Sequence, residues 1–456
     1  MSFTARRKLY ESAPLWVRRL IGTLPFGLVA GESYRNVVRR GPRFERATPE
    51  EQHAYQELEL GELLLFVTEQ VPAYRRFRDV VERHSAFDAL SEFPLLDKAT
   101  LQENMPDHLP QNLGQIPHYE ITTGGTSGRQ LRFYVDDDSQ SVETAFIHRI
   151  WGIVGFSPRD RRATFRGVSF SHLPEGVYWQ ENPIYNEFQF SPFHMSERNL
   201  GAYVDELIRY RPRFLHGYPS AINTLAEYVL RHDLTETLPP MRAAFLASEG
   251  TTPDQRERIE KAFRLRAFSF YGHSERLILG TECEKTSVYH HVPDYGILEI
   301  VAEDGRPCIE DGERGELVGT GLLNRSLPFI RYRTGDRGRR RARECECGRA
   351  WERFDEVEGR WEQDMLEGRT GAPISLAALN MHGDLFERVA RYQYRQTEPG
   401  RVALRVVAAP DFSPADAEAI ERAYSDKVGD ELDVSVEVVK DIPLTSRGKL
   451  RRLVKE

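Results

Sequence analysis

The sequence predicts an α/β fold: a large N-terminal domain of parallel and mixed sheets with flanking helices and a β-rich subdomain, then a small α+β C-terminal domain. Three observations predict it. Between about residues 118 and 300, short apolar runs such as "RPRFLHGYP", "MRAAFLASEG" and "RAFSFYGHSE" alternate with helical stretches such as "SAINTLAEYVLRH" and "TPDQRERIEKAF". Strand–loop–helix alternation marks a largely parallel sheet. From 290 to 356 the text turns β-rich: "YHHVPDYGILEIV", "RGELVGTGLLN", "LPFIRYRTGDRG". Then "DEVEGRWEQDM" (Asp355–Met365), dense in charge and poor in apolar residues, reads as a linker before a last strand–helix–strand text.

Each element follows in order. Residues 1–120 read as mainly helical. "PEEQHAYQELELGELLLFVTEQVPAYRRF" carries apolar residues at helical spacing and stops near Pro72. In "PLLDKATLQENM", Asp97 is placed to cap a short helix. Next comes "ITTGGTSGRQLRFYVD", a loop of Thr, Gly, Ser and Arg followed at once by a strand. Three residues part Gly124 from Gly128, and no helix follows, so this is no Walker loop. Its glycines still allow backbone N–H groups to approach an anion, with hydroxyls as further donors. A ligand-free hairpin is the plain alternative. Three polar loops then end apolar runs, His216–Ser220, Ser248–Thr252 and Gly272–Glu275, and ligands of α/β folds sit at the carboxyl ends of strands. Beyond the linker, "ERVARYQYRQTEPGRVALRVVAAP", a helix from about Pro414 to Val428, and "DVSVEVVKDIPLTSRGK" make the small domain. The resulting boundaries are 1–358 for the large domain (helical to about 120, β-rich over about 285–356), 359–364 for a hinge and 365–456 for the small domain.

Composition narrows the function. The chain has 456 residues, 40% hydrophobic, and a formal charge of −8, enough for two or three domains with real cores. An acidic balance argues against a general nucleic-acid binder. The basic run Arg331–Arg343 reads as a solvated loop. "LWVRRLIGTLPFGLVAG" (Leu15–Gly31) is interrupted by Arg18, Arg19 and Pro25. It is too short and too charged to span a bilayer and lacks the core of a signal peptide. The expectation is an amphipathic segment resting on the protein body, in a cytoplasmic protein. Of four cysteines, Cys345 and Cys347 form a tight pair that raises the question of a metal.

Five segments now stand in order: Thr123–Arg129, "ASEGTTPDQR", "YGHSE", "YRTGD" with "EGRWEQD", and "PLTSRGKLRR". That order resembles the adenylate-forming superfamily of acyl-CoA synthetases, adenylation domains and luciferases. "VPAYRRF", "FPLLDKATLQEN", "HGYPSAI" and "CECGR" look like its phenylacetate–CoA ligase branch and the CapK-like proteins within it. The resemblance covers nearly the whole chain. It implies that Thr123, Thr126, Ser127 and Gly128 cradle the β/γ-phosphates of ATP and that Ser248, Glu249 and Gly250 border adenine. Tyr271, followed by Gly272, would stack on the base, and Ser274 would contact the α-phosphate. Glu275 would bind Mg²⁺, Asp336 both ribose hydroxyls, and Arg360 the ribose and phosphate. Lys449 would reach between the acid and the α-phosphate, with Glu362 at the hinge of a mobile small domain.

The implied reaction condenses a carboxylic acid with ATP, releases pyrophosphate and forms an acyl-adenylate. The acyl group then passes to a thiol of CoA or of a carrier protein, or alternatively to an amine. A protein that binds nucleotide without catalysis is the reading from another class, and the presence of Glu275, Asp336 and Lys449 speaks against it. Phe170, His172, His216, Tyr218 and Ser220 form the expected acid pocket, suited to an aryl or small polar acid. Two departures stand out. The linker reads Gly359-Arg360-Trp361-Glu362-Gln363-Asp364 where the family has Gly-Arg-x-Asp-Asp, and "MLEGRTGAPISLAALN" replaces the branch's Arg-Gly-x-Asn loop. Similarity to the branch also implies a structural Zn²⁺ on Cys283, Cys345, Cys347 and a histidine. His291 is favoured over His290 because "VPDYGILE" follows it. The expected assembly is a monomer or dimer.

Overall fold

The computed structural model describes residues 9–10, 12–123, 131–167, 174, 176–358, 364–381, 384–443 and 451–455. The chain divides into two compact units. One comprises Met1–Ile121, Leu131–Ser157 and Phe268–Arg360, the other Thr122–Gln130, Pro158–Ala267 and Trp361–Glu456.

The first unit begins with helices. The helix Pro49–Gln70 starts at a capping box, where Thr48 and Glu51 satisfy each other's backbone N–H groups and Pro49 takes the first turn. It ends just before Pro72. Leu60, Leu63, Leu64 and Val67 repeat at helical spacing and pack with Tyr74, Phe93, Ile297 and Ile330. Asp97 caps the helix Lys98–Glu103, accepting from Thr100 N at 2.8 Å. The strands flanking the Gly-rich stretch, His118–Thr122 and Arg132–Asp136, pair with each other. Residues 280–358 form an antiparallel sheet ordered Gly296–Val301, Arg314–Gly321, Tyr332–Arg341, Arg353–Glu358, Tyr289–His291, Gly280–Thr281.

Three expectations are corrected here. The basic run is no loop: Tyr332–Arg341 is a strand. Its arginines meet acids from neighbouring segments: Arg333 with Glu316 at 2.6 Å, Arg337 with Glu303 at 2.8 Å, and Arg339 with Asp355 at 2.9 Å. The charged linker begins as structure too, since Asp355–Glu358 completes a strand. And Leu15–Gly31 rests on the protein only in part: Phe26 packs against Tyr34 and His148, while Leu15, Trp16, Leu20, Leu24 and Leu28 stay exposed. Its helices Leu15–Gly22 and Phe26–Ala30 contain no buried residue.

The second unit holds the parallel strands. Arg162–Phe165 lies between Glu187–Phe190 and Phe214–Gly217, parallel to both, and Phe214–Gly217 is parallel to Ala243–Leu246. The last two are buried at every position, as strands covered on both faces must be. The strand neighbours of Gly217 leave no room for a side chain: a Cβ there would lie 2.3 Å from the Phe165 carbonyl oxygen. Helices Glu197–Tyr210, Pro219–Arg231 and Pro253–Phe263 make the connections. The C-terminal part is a four-stranded sheet ordered Asp433–Val438, Arg401–Ala408, Val389–Glu398, Leu453–Lys455, with the helix Pro414–Val428 beside it. One apolar core includes Phe165, Leu215 and Ile222 together with Leu366, Ile374 and Tyr424.

Candidate active site

In the second unit, side chains converge at the carboxyl ends of three parallel strands, where α/β folds hold their ligands. Arg166 follows the first, His216 to Ser220 the second, and Ser248 to Gly250 the third. Ser248 has φ +69°, an uncommon conformation for a residue other than glycine. Its Oγ accepts from Arg166 Nη2 at 3.1 Å, and the same guanidinium lies 5.8 Å from the centre of the Tyr218 ring. Glu249 is tied down: Oε2 accepts from Ser220 N at 3.1 Å, at the start of the helix Pro219–Arg231, and Oε1 accepts from Ser375 Oγ. Burial pushes the Glu249 carboxyl above its ordinary range. His216 is buried, and burial followed by the charges of Arg166 and Arg162 holds it well below the usual imidazole range. It is a neutral ring.

The first unit carries a second cluster. Tyr271 ends a strand, and its hydroxyl donates to Asp336 Oδ2 at 2.9 Å across 65 residues of sequence. Phe354 meets the Tyr271 ring edge-on at 5.8 Å between centroids. Burial, then the neighbouring Asp336 charge, keeps the phenol protonated. Thr334 fixes the strand just before Asp336, donating to Leu317 O at 2.7 Å and accepting from Asp336 N at 3.1 Å. Four residues after Tyr271, Glu275 is held from both sides: His273 Nδ1 lies 3.3 Å from Oε2, and the Tyr332 hydroxyl donates to Oε1 at 3.4 Å. Burial raises the Glu275 carboxyl, but the His273 hydrogen bond and charge, with Lys98, outweigh it and leave it below its ordinary range. An ionised carboxylate offers the hard oxygen that Mg²⁺ prefers.

A third cluster joins Cys283, His290, Cys345 and Cys347, whose donor atoms all lie within 4.8 Å of one another. Cys283 Sγ is 3.8 Å from Cys345 Sγ, and Cys347 Sγ is 3.5 Å from His290 Nε2. A tetrahedron with zinc's ordinary bond lengths has sulfur–sulfur edges of about 3.8 Å and sulfur–nitrogen edges of about 3.5 Å, so these donors fit that ion. Gly348, at φ +77°, closes the Cys345–Gly348 turn. The histidine is His290, not His291. His290 Nδ1 is bonded to Val288 O at 3.1 Å, which leaves Nε2 toward the thiols, while His291 Nε2 meets Gly296 O at 2.8 Å. Burial, then Arg353, lowers the His290 ring to about 4, so it is neutral as a ligand must be.

Comparison with known proteins meets these three clusters. Residues 366–456 match the model of the CapK C-terminal domain. The phenylacetate-coenzyme A ligase of Thermus thermophilus is 25% identical over 91% of this chain and 98% of its own length. Protein CapK of Staphylococcus aureus is 26% identical over 54% of this chain and 53% of its own. Over nearly its whole length the chain is thus similar to a phenylacetate-coenzyme A ligase, and residues 366–456 are similar to the C-terminal domain of CapK. The fold agrees: 2-hydroxyisobutyryl-CoA ligase, solved with its adenylate and CoA, superposes with a TM-score of 0.59 at 21% identity, covering 91% of this chain and 92% of that one.

The site residues expected from the sequence fall as follows. Tyr271, Gly272, Ser274, Glu275 and Asp336 lie in one cluster of the first unit; Ser248, Glu249, Gly250, His216, Tyr218 and Ser220 lie in one cluster of the second. Thr123 is buried at the end of its strand. Thr126, Ser127, Gly128, Phe170, His172, Arg360, Glu362 and Lys449 lie outside the described residues. Sequence reading missed Arg166 and Ser375. A signal for Arg166 was present: it directly follows Phe165, and "TFRGVS" combines Arg, Gly and Ser at the end of an apolar run as the other loops do.

Proposed function

We propose that this chain is an AMP-forming acid ligase that activates an organic acid with ATP and passes the acyl group to the thiol of coenzyme A. In the first step an acid oxygen bonds to the α-phosphorus and pyrophosphate leaves. In the second the thiol sulfur bonds to the acyl carbon, the thiol proton is lost and AMP leaves. The observation that carries this reading is the Tyr271–Asp336 hydrogen bond with Glu275 close by: an aromatic face, a carboxylate able to accept from two ribose hydroxyls, and a hard-oxygen ligand in one cluster. The near full-length match to a phenylacetate-coenzyme A ligase supports it.

In this reading Thr123, Thr126, Ser127 and Gly128 donate to the departing pyrophosphate. Ser248 to Gly250 border adenine, Ser274 and Arg360 meet the phosphate, and Lys449 offsets charge as the acid attacks. Glu275 would hold Mg²⁺, which when bound offsets the phosphate charge. The acid lies against His216, Tyr218 and Ser220, with Arg166 supplying positive charge, a set that suits an aryl or small polar acid. The small domain, 365–456, turns about a hinge at Glu362 between the two steps. Cys283, His290, Cys345 and Cys347 would hold a structural zinc, a closed set with no open position for chemistry. The protein works in the cytoplasm as a monomer or dimer.

One observation favours a second acceptor. "MLEGRTGAPISLAALN" departs from the branch's Arg-Gly-x-Asn loop, and its Ser375 is engaged with Glu249. An amine, or a carrier-protein pantetheine, would then replace CoA. The deciding experiment measures acid-dependent pyrophosphate release over a panel of acids, then adds CoA, amines and carrier proteins to the responding acid. Release that needs an acid, with a CoA thioester as product, is expected. No acid-dependent release with any acid overturns the reading, and an amide product moves it to the amine.

A further inference from the structure

The segment that precedes the helical region is at odds with the rest of the surface. Six of the eleven exposed large apolar side chains among the described residues fall between residues 9 and 28: Leu9, Leu15, Trp16, Leu20, Leu24 and Leu28. Trp16 is 69% exposed, Leu20 63% and Leu28 64%. The segment is nonetheless held in place. Phe26 packs edge-on against Tyr34 and His148, at 5.0 and 5.1 Å between ring centroids, and Arg35 donates to Gly27 O at 2.9 Å. The apolar residues are therefore presented outward on an anchored element.

The charge of the same stretch is reversed relative to the chain. Residues 9–28 contain Arg18 and Arg19 against Glu11, a formal +1 in a protein of −8, and Arg6, Arg7 and Lys8 precede them in the sequence. On the helix Leu15–Gly22, Arg19 shares the exposed face with Leu15, Trp16 and Leu20. Arginines beside exposed leucines and a tryptophan match the boundary of a bilayer, where long basic side chains reach headgroups while leucines enter the acyl region and tryptophan sits between. No helix is long and apolar enough to cross a membrane, so the contact is one of lying on the surface.

We propose that residues 9–28 dock the protein on an anionic lipid bilayer, with Trp16, Leu20, Leu24 and Leu28 entering the interface and Arg18 and Arg19 meeting lipid headgroups. The test is cosedimentation of the full chain with phosphatidylcholine vesicles, with and without about 30% phosphatidylserine. The intact chain is expected to bind anionic vesicles at least about tenfold more tightly than neutral ones, less so as salt is raised. Trp16→Glu with Leu20→Glu should abolish binding while melting temperature and acid-dependent pyrophosphate release stay unchanged. Arg18→Gln with Arg19→Gln should reduce the preference for anionic vesicles, each cation being worth roughly fivefold. Ile309→Glu, an exposed apolar site elsewhere, should change nothing. Absence of binding by the intact chain, or equal binding by the Trp16/Leu20 variant, overturns the proposal. So does a dimer dispersed by that variant without any vesicle binding, which would assign the face to a second copy.

Discussion

At the scale of single residues, the nucleotide reading stands on Asp336 and its neighbours. Asp336→Asn keeps the shape but turns one acceptor oxygen into a donor, so kcat/KM for ATP should fall by roughly 10- to 100-fold. Tyr271→Phe keeps the ring and loses only the 2.9 Å hydrogen bond to Asp336; about 1 kcal/mol, or roughly fivefold, is expected. Steady-state kinetics with varied ATP would contradict both if the two variants lost equally. Glu275→Gln should remove most Mg-ATP turnover with the melting temperature nearly unchanged; wild-type pyrophosphate release would show that Glu275 is no metal ligand. The zinc histidine shows what a sequence hides at this scale. His290 and His291 are consecutive on a strand, so their side chains point to opposite faces. Choosing between them needs the register, His290 opposite Arg353 and Thr281, and register comes from long-range pairing. Elemental analysis should find about one zinc per chain, and Cys345→Ser should lower the melting temperature more than it changes ATP affinity; well under one zinc per chain would refute the site.

At the scale of elements, legibility followed locality. The helix opening at Asp97 could be read because the cap and its partner Thr100 lie three residues apart, and the structure adds capping boxes of the same span at Thr48 and Ser413. The strand Tyr332–Arg341 could not, because the acids that neutralise its arginines sit 16 to 34 residues away along the chain. The helix Pro414–Val428 offers a test through Lys427 in its last turn. Its Nζ donates to Asn380 O at 2.5 Å, yet burial lowers the amine to about 8. Below that pH the lysine is charged in both folded and unfolded chains, and folding carries the full cost of burying the charge. Between about 8 and about 10.4 the unfolded chain binds more protons than the folded one, so stability rises with pH. Measured against Lys427→Met by urea unfolding, the wild type should therefore gain roughly 2 kcal/mol between about pH 7.5 and pH 10. A constant difference between the two proteins would mean that Lys427 is solvated.

At the scale of the molecule, the order of the motifs was legible and their grouping was not. "ASEG" and "YGHSE" read alike as strand-end loops, but a core that joins Phe165 and Leu215 to Leu366 and Ile374 gathers Pro158–Ala267 with Trp361–Glu456. No local pattern announces such a core, since even its nearest members across the two halves, Ala267 and Leu366, are about 100 residues apart. The resemblance to the adenylate-forming family adds a division by time. Lys449 lies beyond the expected hinge, while the other nucleotide residues named here precede it or begin it. If the small domain presents Lys449 for the first step only, Lys449→Ala should show a split phenotype. Adenylation from acid and ATP should fall by roughly 10²-fold or more, because a positioned charge and the orientation of the acid are lost together. Thioester formation from synthetic acyl-adenylate and CoA should be nearly unchanged, because that step no longer uses the lysine. Binding of ATP alone should change little. Both half-reactions must be measured on one preparation, so that a folding defect would reveal itself as an equal loss in the two. Equal loss would mean that Lys449 is structural or that the domain does not alternate; loss in neither would remove the strongest link between this C-terminal Gly-Lys and adenylate chemistry.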